Sequence, residues 1–160
     1  MYIHVIMPRK AQAQKTLQRD ARQAVEMCAG WNIRSAARRI TQFLESRMQD
    51  AGVSFAQFGL MAEIAAASDD SISALAIRMG LDQSTLSRTL RTLEAEGLIE
   101  IAVAGSDQRR KLVWLTEKGA HRLEAALAAW RKAHAELEQV LSIDLVRRLA
   151  AQTDALTQDR

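Results

Sequence analysis

The stretch from Ser73 to Leu93, SALAIRMGLDQSTLSRTLRTL, limits the possible folds more than any other part of the chain. Gly80 stands where a first helix must stop, because glycine enters the left-handed backbone region without a Cβ penalty. Two residues later Asp82 is of the type that caps a new helix. Ala76 is small where the two helices approach, and Leu75, Met79, Leu81, Leu86 and Leu90 supply one buried side. This spacing predicts a helix-turn-helix. On the second helix, steps of 100° per residue bring Leu90 and Leu93 within about 40° of Leu86, with Ser84, Arg88 and Arg91 roughly opposite. One face belongs to a core, and the other is free to touch something.

The flanking segments extend the pattern in both directions. Residues 1 to 20 start with a short apolar run and become polar and basic with little helical periodicity, so 1–24 is predicted to be a flexible or weakly ordered N-terminal extension. From Val25 the apolar positions recur at Ala29, Ile33, Ala36, Ile40, Phe43, Leu44 and Met48, the stripe of a first long helix that reaches about Asp50 and ends at Gly52. Ser54 and Gln57 have capping-box spacing, with Val53 and Phe58 placed as a hydrophobic staple, so another helix starts at Phe55. It breaks at Ser68-Asp69-Asp70, before a short helix over 73–80.

Beyond Gly97 the period changes from helical to alternating. Ile99, Ile101 and Val103 alternate with Glu100 and Ala102, Gly105-Ser106-Asp107 are turn residues, and Leu112 to Leu115 is apolar, which predicts a β-hairpin over 99–115. Its tip reads Gln-Arg-Arg-Lys at 108–111. Thr116 caps a helix with the stripe Leu123, Ala126, Leu127, Trp130, Leu137, Val140 and Leu141, and Ser142 caps a last one carrying Leu145, Leu149 and Leu156.

The expected fold is therefore mainly α with a small β-hairpin wing: a winged helix-turn-helix module, 53–116, flanked by a dimerisation helix at 25–52 and C-terminal dimerisation helices at 117–160. A module of about 60 residues is too small to cover all three apolar stripes, so two chains are expected to share one helical core as a homodimer.

Composition agrees with this architecture and removes several function classes. The 160 residues are 48% hydrophobic and 26% charged, enough for a core, with 4% aromatic residues and one proline, Pro8. The single cysteine, Cys28, makes no intramolecular disulfide, no apolar run approaches the roughly 20 residues of a membrane span, and no signal-peptide pattern opens the chain. A cytoplasmic protein with no membrane partner is expected. No phosphate-binding glycine loop, zinc motif or nucleophile elbow is present, which argues against an enzyme, and His4, His121 and His134 lack ligand spacing and are expected to be exposed. Neither a metal nor a cofactor is implied.

Net charge is only +3, from 22 Lys and Arg against 19 Asp and Glu, so the position of the charges says more than their sum. Arg88 and Arg91 lie in a stretch without an acid, and the second basic cluster sits at the hairpin tip. A helix fits the DNA major groove, about 12 Å wide, where Gln83, Ser84, Thr85, Ser87, Arg88 and Arg91 would meet base edges and phosphates. Arg109 or Arg110 would enter the adjacent minor groove, Lys111 would serve phosphate, and Asp107 would orient Arg109 rather than approach a phosphate. The plain alternative for the two helix arginines is a solvated face with surface ion pairs.

With its helix-turn-helix, LEAEGLIE at 93–100, Asp107-Gln108-Arg109 and LTEKG at 115–119, the chain resembles the MarR family of bacterial transcriptional regulators over about residues 25–150. The resemblance implies an obligate homodimer with intertwined terminal helices that binds a palindromic operator and usually represses. It also implies modulation by a small aromatic effector or by cysteine oxidation. Two features depart from the family pattern: Glu100 and Ile101 stand where many members carry arginine, and the first twenty residues precede the usual start.

Cys28, Trp31, Asn32 and Arg38 are the candidates for an effector pocket or redox site. For Cys28 the plain reading is a small buried hydrophobe; for the other three it is interface packing. The alternatives to a ligand-modulated regulator are a redox-sensing regulator acting through Cys28 and a winged-helix protein-interaction module, and the last would lack the steep salt dependence of phosphate binding.

Overall fold

The computed structural model describes residues 11–67, 71–103 and 111–157. In chain order the elements are α1 (Ala11–Met27), α2 (Ala29–Met48), a 3-10 turn (Gln49–Ala51), α3 (Phe55–Ala66), α4 (Ile72–Met79), α5 (Gln83–Ala95), β1 (Ile99–Val103), β2 (Lys111–Leu115), α6 (Glu117–Glu138), α7 (Ile143–Asp154) and a closing 3-10 turn (Ala155–Thr157). Helices around a two-stranded hairpin are the predicted fold class. The chain divides after Gln42 into two compact units.

The first unit departs from expectation. Residues 11–27 are helical where a flexible or weakly ordered extension over 1–24 was predicted, and a single long helix from Val25 is replaced by two. Segment 11–24 is built almost wholly from Ala, Gln, Lys, Arg and Leu, strong helix formers whose propensity needs no apolar stripe. Between α1 and α2 the backbone stays close to helical, with Cys28 N donating to the Ala24 carbonyl at 3.0 Å and Asn32 N to the Cys28 carbonyl at 3.1 Å. Asn32 Nδ2 donates to the Glu26 carbonyl at 2.9 Å. Leu17, Val25, Met27, Trp31 and Ile33, apolar residues of this unit, are all exposed among the described residues.

The second unit holds the core, which gathers Met48, Phe58, Leu60, Met61, Ile64, Leu75, Leu86, Leu90, Leu93, Leu98, Ile99, Val113, Leu123 and Ala126. Local signals place its elements. Ser54 and Gln57 form both halves of the capping box, at 3.1 and 2.8 Å, and α3 starts at Phe55 as predicted. Ser71, rather than the expected Ser68-Asp69-Asp70, caps α4; those three lie outside the described residues. Thr116 and Ser142 cap α6 and α7. Phe55, Phe58, Trp130 and His134 form a ladder of rings with centroids 6.3, 6.2 and 4.5 Å apart. His134 is therefore half-buried, not exposed, because its ring extends this stack, whereas His121 is exposed beside Glu124.

In the hairpin, β1 and β2 run antiparallel with Ile99 opposite Leu115 and Val103 opposite Lys111. Ser71 adds an isolated bridge to Leu112, joining the start of α4 to the hairpin's edge. No helix among the described residues is long and apolar enough to cross a membrane.

Candidate nucleic-acid interface

Each helix of the helix-turn-helix ends in backbone geometry that glycine permits. At the end of α4, Gly80 has φ 58°, its N–H donates to Ile77 at 3.2 Å and Leu81 N donates to Ala76 at 3.3 Å. At the end of α5, Gly97 has φ 68°, its N–H donates to Glu94 at 2.9 Å and Leu98 N donates to Leu93 at 2.9 Å. Each pair is a Schellman motif, which satisfies carbonyls the helix end would otherwise orphan. Only Leu81 and Asp82 separate Gly80 from α5, so the two helices are joined by a tight turn.

The N-terminus of α5 is tied by Asp82. Its carboxylate accepts from Thr85 N at 2.9 Å, from Thr85 Oγ1 at 2.7 Å and from Ser84 Oγ. These bonds, that from the Ser84 hydroxyl first, hold the carboxyl well below the usual range. Leu86, Leu90 and Leu93 anchor the inner face of α5 in the core.

On the outer face Gln83, Ser84, Thr85, Arg88 and Arg91 are exposed, and Ser87 is half-buried. Neither Arg88 nor Arg91 is ion-paired among the described residues, and both side chains stand in solvent. Between α5, the start of α4 and the hairpin runs a groove of about 500 Å³. Gln83, Ser87 and Arg91 line it from α5, Ile72 and Ser73 from α4, and Val103 and Lys111 from the hairpin, over a floor that includes Leu90 and Ile101. The structure thus brings Gln83, Ser87, Arg91 and Lys111 to one concavity. Ser84, Thr85 and Arg88 lie outside its lining, although α5 presents them as exposed. Asp107, Arg109 and Arg110 fall outside the described residues.

Two acidic groups near this site have roles that their sequence positions did not assign. Glu94 lines the groove one turn from Arg91, where its charge opposes a phosphate. Glu100, an alternating position of the hairpin in the sequence, accepts from Trp114 Nε1 at 3.1 Å and ties the two strands together. The spacing Asp82-x-Ser84-Thr85 was a legible signal for the cap network, whereas the other two depend on how elements meet.

Cys28 and Trp31 line a shallow hollow with Gly30 and Arg34 in the first unit. The thiol is free and half-buried, and Trp31 is 60% exposed with the Arg34 guanidinium 5.6 Å from its ring centre. Asn32 bonds its amide to backbone, and Arg38 is exposed on α2 away from this hollow. Of the four predicted residues, two come together.

Comparison with known proteins decides the family. A model of the MarR family matches residues 51–110. The transcriptional regulator MosR of M. tuberculosis, solved in complex with DNA, is 30% identical; the match covers 81% of this chain and 96% of that one, with a TM-score of 0.72. The chain belongs to the MarR family. A cysteine-to-serine mutant of MarR from E. coli, complexed with operator DNA, shares the fold at 24% identity, a TM-score of 0.72, and coverage of 84% and 96%. MepR of S. aureus, also solved as a DNA complex, does so at 21% identity, a TM-score of 0.68, and coverage of 81% and 96%. The helices and the antiparallel β1–β2 hairpin match the winged-helix fold of the MarR family.

Proposed function

We propose that this MarR-family regulator binds a palindromic DNA operator as a homodimer, acts as a repressor and has its DNA affinity modulated by a small aromatic effector. The observation that carries the reading is the outer face of α5, where Arg88 and Arg91 stand exposed, with no ion pair among the described residues, beside a groove that Lys111 also lines. Guanidinium groups donate bidentately to guanine and to phosphate, and a capped helix of this length fits the major groove. The DNA complexes of MosR, MarR and MepR support the same partner.

Support for a second copy comes from uncovered apolar surface. None of the residues of α7 is buried, and Leu145, Val146 and Leu149 are exposed along it. Leu17, Val25, Met27 and Ile33 are likewise bare in the first unit. A two-fold dimer would set its recognition helices on half-sites about one helical turn, or 10 bp, apart. The hollow beside Cys28 and Trp31 is the candidate place for an aromatic effector.

Selection of bound sequences from a random duplex pool, followed by titration of the winner at two salt concentrations, tests the reading. A palindrome whose affinity falls about 10³- to 10⁵-fold between 50 and 200 mM salt is the expected result for 6 to 10 phosphate contacts. Weak, salt-insensitive binding with no selected motif would refute it in favour of a protein-interaction module.

A further inference from the structure

Four hydroxyl groups of α5 have their protons committed inside the protein. Ser84 Oγ donates to Asp82 Oδ1, and Thr85 Oγ1 donates to Asp82 Oδ2 at 2.7 Å. Farther along, Thr89 Oγ1 donates to the Thr85 carbonyl and Thr92 Oγ1 to the Arg88 carbonyl, each at 3.2 Å. A hydroxyl has one proton and two lone pairs, so a committed hydroxyl offers a further partner only an acceptor. The two bonds to Asp82 are charge-assisted, roughly twice as strong as neutral ones, and an ionised carboxylate has no proton to give back.

Both hydroxyls held by Asp82 are exposed in the first turn of α5, the part of a recognition helix that meets base edges. In the major groove, adenine N6 and cytosine N4 are donors; thymine O4, guanine O6 and N7, and all phosphate oxygens are acceptors. A hydroxyl without a free proton accepts from the first set and has nothing to offer the second. Swinging either proton outward toward an acceptor breaks a charge-assisted bond and leaves the carboxylate one donor short where a DNA surface excludes water.

We infer that Asp82 sets the polarity of base reading at the start of α5: by holding the protons of Ser84 and Thr85, it makes both hydroxyls acceptors that select an amino base, adenine or cytosine, on the facing strand. The inference rests on the proposed DNA-binding function and adds a specificity determinant to it. Asp82 acts as a positioning residue, and Ser84 and Thr85 make the contact. Arg88 and Arg91 are donors only, so the same helix face pairs acceptors in its first turn with donors one and two turns later. This division predicts amino bases read by the first turn and guanine or phosphate met by the arginines.

The test uses the full chain and a random duplex pool, with selected sequences compared among the parent, Asp82→Asn, Ser84→Ala and Thr85→Val. Asparagine keeps an N-cap acceptor, but its amide donates to one hydroxyl and turns that proton outward. The parent is expected to select adenine or cytosine at a half-site position that Ser84→Ala or Thr85→Val flattens. Asp82→Asn is expected to move that position to guanine or thymine on the same strand, a change in preference of about tenfold. Circular dichroism melts establish that each variant is folded, and Asp82→Ser, which keeps a capping side chain, replaces Asp82→Asn if that variant fails to fold. If Asp82→Asn keeps the parental bases and weakens every sequence evenly, Asp82 is a helix cap alone and the inference is overturned. Keto bases in the parent at the positions that Ser84→Ala and Thr85→Val flatten would overturn it as well. Should the parent select no motif at all, the DNA-binding function falls, and this inference with it.

Discussion

Trp114 and Glu100 face each other across the hairpin, register partners whose indole Nε1 and carboxylate Oε2 are 3.1 Å apart. They occupy the exposed side of the ladder, opposite the side on which Ile99 and Val113 enter the core. The bond therefore stiffens the wing without drawing on core packing. Trp114→Phe keeps the ring and removes the donor, so it is expected to cost less than about 1 kcal/mol of stability, the scale of a cross-strand pair. DNA affinity should fall a few-fold with the selected sequence unchanged. Thermal unfolding and operator titration check both numbers.

Arg88 is exposed, is not ion-paired among the described residues and sits on the side of α5 opposite its core leucines. Arg88→Ala is expected to leave the melting temperature within about 2 °C, since it removes no packing. A base contact would appear as a loss of about 1 to 3 kcal/mol of binding with relaxed choice at one position; a phosphate contact would lower the salt slope by about 1. Unchanged affinity at every salt concentration would remove Arg88 from the interface.

Gly119 and Gly59 make a matched pair of glycine substitutions. Gly119 is buried, and a Cβ there would collide with the Leu98 carbonyl backbone, just where Thr116 caps α6 and donates its hydroxyl to the Gly97 carbonyl at 2.7 Å. Gly59 lies within α3 with nothing inside 4 Å of an added Cβ. Gly119→Ala should destabilise by about 1 to 3 kcal/mol through backbone displacement, whereas Gly59→Ala should stabilise by about 0.5 to 1 kcal/mol. Chemical denaturation of the two variants measures opposite signs.

Asp82 carries a pH signature with a definite sign. Its carboxyl is held below the ordinary value of 3.8 by the Ser84 hydroxyl and then by the Thr85 N–H and hydroxyl, so the folded state binds its proton later than the unfolded state does. The stability it contributes is complete above pH 3.8 and is lost as pH falls from there through the lower folded value. The stability gap between parent and Asp82→Asn should be flat from about pH 5 to 8 and narrow below pH 4. Thermal melts across that range detect it.

Leu145 and Leu149 are 53% and 41% exposed, one turn apart on α7. If this face meets a second copy, Leu145→Arg with Leu149→Arg should give a folded or partly folded monomer that no longer binds a palindrome, because single half-sites forfeit the linked second contact. Sedimentation velocity reads the state directly.

Much of this architecture follows from interactions that span three or four residues, and those were legible in the sequence alone. Ser54 with Gln57, Asp82, Thr116 and Ser142 cap the helices at the predicted positions, and Gly52, Gly80 and Gly97 take the left-handed backbone their positions require. The outward face of α5 followed from the same short-range geometry, because helical period alone separates Arg88 and Arg91 from Leu86, Leu90 and Leu93. The helicity of 11–27 is also local, written in residue propensity rather than in an apolar stripe. What the tertiary structure alone decided joins residues far apart in the chain: Ser71 bridged to Leu112, Gly119 against Leu98, Lys118 Nζ on the Glu96 carbonyl at 2.7 Å, and Arg47 paired with Glu136 at 2.8 Å. The groove that brings Gln83, Ser87 and Arg91 beside Lys111 belongs to this second class. Backbone dihedral preferences and capping bonds act within a single turn, whereas such meetings are selected by which apolar faces bury each other, a property of the whole core.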